Sequence, residues 1–154
     1  MYGRILVPVD GSPTSNRGLT EAINLAKDQK AKLRLLHAID ESFLVYDAYG
    51  MVSWDSVTRS LREGGKKLMA EAKSLAARNG IDAESVVTET LKDRVADVIL
   101  KEARNWRADL IVMGTHGRRG LNRLLLGSDA ERVLRDTSVP LLLVRKVVGT
   151  KRRH

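Results

Sequence analysis

Between residues 113 and 128 the chain reads MGTHGRRGLNRLLLGS. Gly114, Gly117 and Gly127 stand in the spacing G-x2-G-x9-G, and Ser128 follows the last glycine. His116, Arg118, Arg119 and Arg123 lie among them. Glycine lets backbone N–H groups approach phosphate oxygens closely and tolerates positive φ. Gly127-Ser128 opens a helical pattern, and a helix's first turn offers an anion unpaired N–H groups and the positive end of a dipole. Ser128 adds a hydroxyl donor, and the arginines add charge. An ordinary loop or a helix C-cap would also hold glycines. A glycine pair directly behind an apolar run, joined to Gly-Ser at a helix start, favours a phosphate cradle. It is not one of the common ones. No glycine precedes a Lys-Ser/Thr pair as in the Walker loop, and G-x-G-x-x-G is absent after the first strand.

Other chemistry-bearing residues are few. Asp10 closes the apolar run RILVPV and opens DGSPTS. A carboxylate there can accept hydrogen bonds from ribose hydroxyls. It can equally serve an Asx-turn or a helix cap, and the residues leave both open. His37 ends an apolar run and reads as a hydrogen-bonded core histidine. His116 sits inside the glycine loop, where it either contacts phosphate or stands exposed. No His, Asp and Glu cluster has metal-ligand spacing, so neither a dedicated metal site nor a catalytic set is expected. Magnesium would arrive with a nucleotide, held through phosphates and few carboxylates.

The elements that must position these residues follow from periodicity. Apolar runs at Arg4–Val9, Lys32–Ile39, Ala83–Thr90, Asp109–Gly114 and Val139–Arg145 predict five strands. Helical spacing predicts helices over Thr14–Lys30, about Trp54–Arg78, Asp93–Trp106 and Ser128–Thr137. Ser12 or Ser15 would cap the first. Asn79-Gly80 would stop the second, and Gly64-Gly65 weakens its middle by about 1 kcal/mol per glycine relative to alanine. Residues 40–53 show no period and read as a long loop with room for one helical turn. Strands alternating with helices imply a parallel sheet with helices on both faces. Ligands of such sheets bind beyond the strands' carboxyl ends. PVDGS, HAID and MGTHG, after the first, second and fourth strands, would therefore converge on one edge.

Composition narrows the class. The 154 residues contain no cysteine, which excludes disulfides and zinc–thiolate sites. No signal-peptide pattern opens the chain, and no apolar run approaches the ~20 residues of a membrane span. A soluble cytoplasmic protein is the expectation. Five Lys and Arg lie in Arg145–His154 against no acid, so the rest of the chain carries only +3 of the total +8. One domain over residues 1–146 is expected, followed by a basic tail over 147–154. Such a tail can attract nucleic acid, but no aromatic-interleaved basic face accompanies it, and the bland reading is a solvated terminus.

With these residues in place, the chain resembles the universal stress protein (UspA-like) family from ILVPVDGS through LLHAID to MGTHGRRGLNRLLLGSDAERVLRDTSVPLLLVR. Gly114, Gly117, Gly127 and Ser128 match that family's ATP-binding pattern, so the resemblance implies its nucleotide-binding branch. It also implies a three-layer Rossmann-like fold of the adenine nucleotide alpha hydrolase type, with an open five-stranded parallel sheet of order 3-2-1-4-5. Pro8, Val9 and Asp10 would line the adenosine side, with Asp10 near the ribose. Ala38 would flank adenine through its backbone, and Met113 would pack on the nucleoside. Gly114, Thr115, His116, Gly117, Arg118 and Arg119, with Gly127, Ser128 and Asp129, would hold the phosphates. Many members dimerise through strand five, here Val139–Val144.

Two departures stand out. Ala38 is smaller than the valine often found there, which loosens adenine packing. Asp129 suits a helix N-terminus but repels a nearby phosphate, so AMP and ADP would compete well with ATP. The implied function is an adenine-nucleotide-binding regulatory protein with little turnover. The alternative is a slow magnesium-dependent ATPase assisted by His116 or Asp10. A nucleic-acid module using the basic tail ranks third.

Overall fold

The computed structural model describes residues 1–47, 50, 53–116 and 126–146. Five strands form one parallel sheet: β1 (Arg4–Pro8), β2 (Lys32–Asp40), β3 (Glu84–Thr90), β4 (Leu110–Gly114) and β5 (Leu141–Val144). Their order is β3-β2-β1-β4-β5, the order expected from the resemblance. Four helices join them: α1 (Pro13–Gln29), α2 (Trp54–Arg78), α3 (Val95–Asn105) and α4 (Ser128–Asp136). The aperiodic stretch after β2 carries one 3-10 turn, Ser42–Tyr46. The basic tail, 147–154, lies outside the described residues.

Strand alternation sends successive side chains to opposite faces, and two separate cores result. Ile5, Val7, Leu33, Leu35, Leu110 and Val112 pack with α1 and α2. Leu6, Leu36, Ile111 and Met113 pack with α3 and α4. Helices therefore cover both faces. Most strands are buried on both sides, which is why their sequences read as continuous apolar runs.

Local chemistry explains the element ends. Ser12 is the N-cap of α1, its hydroxyl accepting from Ser15 N–H at 3.2 Å, and Pro13 occupies the first turn. There a missing N–H costs nothing. Of the two candidate caps the first is used. α2 spans the expected residues and ends at Asn79, with Gly80 at φ +79°. β5 is shorter than expected: Val139 and Pro140 precede it, and Thr137 Oγ1 accepts from Val139 N–H at 2.9 Å in a turn. At the edge strand β3, Arg34 pairs with Glu84 and Arg62 with Glu89. Such charges blunt an edge against pairing with foreign strands. No helix among the described residues is long and apolar enough to cross a membrane.

Candidate functional site

β2, β1 and β4 are adjacent and parallel, so their carboxyl ends lie side by side. The segments after these strands are thereby brought to one edge. Each is then tied to its neighbours by named contacts.

The exit of β1 is held to β2. Val9 N–H donates to Leu36 O at 2.8 Å, and His37 Nδ1 lies 2.7 Å from Val9 O. A carbonyl only accepts, so Nδ1 is the protonated nitrogen. His37 is 6% exposed, a satisfied core histidine as its sequence position suggests. Asp10 is half-buried, and its Oδ1 accepts from Ser12 N–H at 2.8 Å. This is the Asx-turn that the sequence left open beside a ribose role, with Gly11 at φ +80° within it. Asp10 N–H donates to Ser15 Oγ at 3.1 Å. The carboxylate is thus oriented by the turn that starts α1.

The exit of β4 is clamped from three directions. Ser12 Oγ (3.4 Å) and Thr14 Oγ1 both donate to His116 O, from the first turn of α1. Thr115 N–H donates to Val144 O of β5 at 3.0 Å. Gly127 N–H, at the N-cap of α4, donates to Thr115 O at 2.7 Å. The first turns of α1 and α4 therefore both abut residues 114–116. Each brings the N–H groups and dipole that favour an anion. The N-cap of α4, Gly127, has no side chain of its own to cap the helix.

Gly114 has a packing reason beside any ligand reason. A Cβ there would stand 2.7 Å from both Thr14 C and Thr14 Oγ1 and 2.8 Å from Ser15 N. Only glycine lets α1 start this close to β4. Gly18, one turn further along α1, faces the backbone of Met113 and Gly114 at 3.4–3.5 Å from its own virtual Cβ.

On the α3/α4 face, alternation from Leu6 places Pro8, and Ala38 and Met113 belong to the same core. Three residues expected near the nucleoside thus share one face of three neighbouring strands. Val9 lies in the other core. Thr115 is buried, and its Oγ1 lies 3.0 Å from His116 Nδ1. His116 Nε2 is buried with no hydrogen-bond partner among the described residues. Ser128 is exposed at the start of α4. Asp129 Oδ1 accepts from Ala96 N–H, in the first turn of α3, at 3.2 Å. Gly117, Arg118 and Arg119 lie outside the described residues, as does Arg123.

Sequence reasoning missed the hydroxyl clamp of Ser12 and Thr14 on His116 O, and the tie between Asp129 and Ala96. The hydroxyls had a signal, being polar residues at a helix start. Their partner, more than 100 residues away, had none. No group of three or more His, Asp and Glu residues able to hold a metal occurs among the described residues.

The model of the universal stress protein family matches residues 1–145. Universal stress protein MJ0531 of Methanocaldococcus jannaschii is 38% identical over 147 residues, covering 95% of this chain and 84% of its own. The solved structure of hypothetical protein MJ0577 superposes with a TM-score of 0.81 at 27% identity, over 97% of this chain and 99% of the other. A universal stress protein in complex with cAMP superposes with a TM-score of 0.69 at 25% identity, over 93% and 97% of the two chains. By the match along nearly its whole length, the chain belongs to the universal stress protein family.

Proposed function

We propose that this protein binds an adenine nucleotide at the carboxyl edge of β2, β1 and β4 and acts as a nucleotide-responsive regulator. One observation carries the reading: the first turns of α1 and α4 both abut the exit of β4, at Gly114–His116. Two helix N-termini and a glycine-spaced loop make one anion site. The Nε2 of His116, buried and without a partner among the described residues, is a candidate donor to a phosphate oxygen, since such a nitrogen calls for a partner. The relative solved with cAMP supports an adenine nucleotide.

In this reading Pro8, Val9, Ala38 and Met113 receive the nucleoside, and Asp10 accepts from ribose hydroxyls. Gly114, Thr115, His116, Gly127 and Ser128 meet the phosphates, with Gly117, Arg118 and Arg119 from the loop beyond. Magnesium enters with the nucleotide and offsets phosphate charge. Two copies pair through β5, whose outer edge has no strand beside it among the described residues. Turnover stays low, because general-base catalysis needs a base within hydrogen-bond reach of the attacking water, and Asp10 is engaged in its turn.

The test is direct. Denaturing the purified protein should release an adenine nucleotide, and the emptied protein should bind ATP, ADP and AMP. Gly117→Val should abolish that binding by obstructing the phosphates. A protein that carries none of the three and binds none at millimolar concentration refutes the reading. Single-turnover assays with magnesium address hydrolysis. ATP hydrolysis lost in both His116→Ala and Asp10→Asn would replace the regulator with an enzyme.

A further inference from the structure

α3 begins without a cap of its own. Its N-cap is Arg94, which makes no side-chain cap hydrogen bond. Asp97 and Val98 N–H turn back to Arg94 O. The N–H of Ala96 instead donates to Asp129 Oδ1 at 3.2 Å, from a residue 33 positions later in the chain. Asp129 is the second residue of α4, directly after Gly127-Ser128. Further along the same two helices, Arg132 Nε donates to Asp97 Oδ1 at 3.0 Å. The start of α4 is thus held from two sides. Gly127 N–H is bonded to Thr115 O at the exit of β4, and the Asp129 carboxylate is bonded to the first turn of α3.

We propose that Asp129 is a positioning residue for the nucleotide cradle. It caps α3 from outside and so docks the first turn of α4 at the angle from which Gly127 and Ser128 meet the phosphates. The inference rests on the nucleotide reading and deepens it. The carboxylate expected to repel phosphate has its charge spent on a backbone donor and on the positive ends of two helices. Without that tie the first turn of α4 can shift about the Gly127–Thr115 bond, while Arg132 and the buried Ala130 and Val133 still hold the rest of the helix to α3. The fraction of molecules with an assembled cradle then falls, and apparent affinity falls by the same fraction.

Two variants separate this role from the others. Asparagine keeps an acceptor oxygen and loses the charge, whereas alanine loses both. Hydrogen exchange at the Ala96 amide, measured without nucleotide, should be faster in Asp129→Ala by roughly tenfold, the worth of a typical cap. It should stay near wild type in Asp129→Asn. Titrations should show Asp129→Ala weakened by roughly tenfold for AMP, ADP and ATP alike, with Asp129→Asn restoring most of the loss.

Unchanged Ala96 exchange in Asp129→Ala overturns the docking. Variants that both bind more tightly, with a gain growing from AMP to ATP, overturn it too, since the carboxylate would then act on phosphate directly. Faster Ala96 exchange with unaltered nucleotide affinity leaves a helix cap and refutes the positioning role. A wild-type protein that binds none of the three nucleotides fails the underlying reading instead, and the cradle role falls with it. The exchange experiment distinguishes that case, because it needs no ligand.

Discussion

Gly65 of α2 lies against His37 of β2: a Cβ at position 65 would stand 2.9 Å from His37 Cδ2 and 3.3 Å from Nε2. The ring cannot yield cheaply, because its Nδ1 is bonded to Val9 O at 2.7 Å in a buried setting. The adjacent Gly64 has nothing within 4 Å of its virtual Cβ. The two glycines of one helix therefore predict opposite outcomes. Gly64→Ala should stabilise by about 0.5–1 kcal/mol, from helix propensity and a less flexible unfolded chain. Gly65→Ala should destabilise, since overpacking costs about 1–3 kcal/mol and exceeds the same propensity gain. Urea unfolding of both variants checks this. Equal midpoints would show that α2 does not depend on its approach to His37.

Gly114 predicts a second effect. Its substitution would push against the backbone of Thr14 and Ser15, which has no rotamer to escape into. Gly114→Ala should lower stability by about 1–3 kcal/mol with no nucleotide present. It should also part α1 from His116 O and so weaken nucleotide binding. The measurement that matters is the unfolding midpoint of the nucleotide-free protein. A variant that loses binding at wild-type stability would make Gly114 a ligand-contact glycine alone.

The amino end of the sheet predicts a pH dependence. Arg34 is bonded to Glu84 and, at 2.7 Å, to Glu102, with its guanidinium 4.7 Å from the centroid of the Trp106 ring. The hydrogen bond from Arg34 holds the Glu84 carboxyl below its usual range, against a smaller opposing push from burial. A depressed folded-state pKa adds stability above the unfolded value, which for glutamate is about 4.3. That stability is lost as pH falls through this range toward the folded value. Glu84 is 47% exposed, so solvent screening keeps the contribution small. The gap in urea midpoint between wild type and Glu84→Gln should be present at neutral pH and close in acid. A gap that persists at low pH would place the effect in packing rather than charge.

These relationships show where the sequence was legible. The central strands could be read because a doubly covered parallel strand must be apolar along most of its length, as LIVMG is. Helix starts could be read because DGSPTS combines an Asx-turn, a serine cap and a proline within a few residues. What could not be read was partnership across the fold. Gly65 looked like a weak point in α2, because local propensity holds no record of His37. The bond of Asp129 to Ala96 N–H could not be read either, because nothing near Asp129 in the chain announces that partner. The strand order came from the resemblance, since alternation alone does not number the neighbours.

The β5 edge carries the remaining prediction. β5 pairs with β4 on one side and, among the described residues, has no strand on the other. Leu142 is 38% exposed, while Leu141 and Leu143 pack inward with the α3/α4 core. An exposed leucine on an open edge is a site for pairing with another strand, and natural edges are often blunted there with lysine. β3, the opposite edge, carries Glu84 and Glu89 in ion pairs, whereas β5 reads LLLV with no charge. The contrast supports the proposed pairing through β5, where a two-fold axis would satisfy both edges at once. Leu142→Lys should leave the fold intact, because the side chain already reaches solvent, and should convert a dimer to a monomer. Light scattering at about 10 μM, well above the dissociation constant of a stable dimer, reads the mass directly. A variant that stays dimeric would move the interface off β5, and a wild-type monomer would remove it.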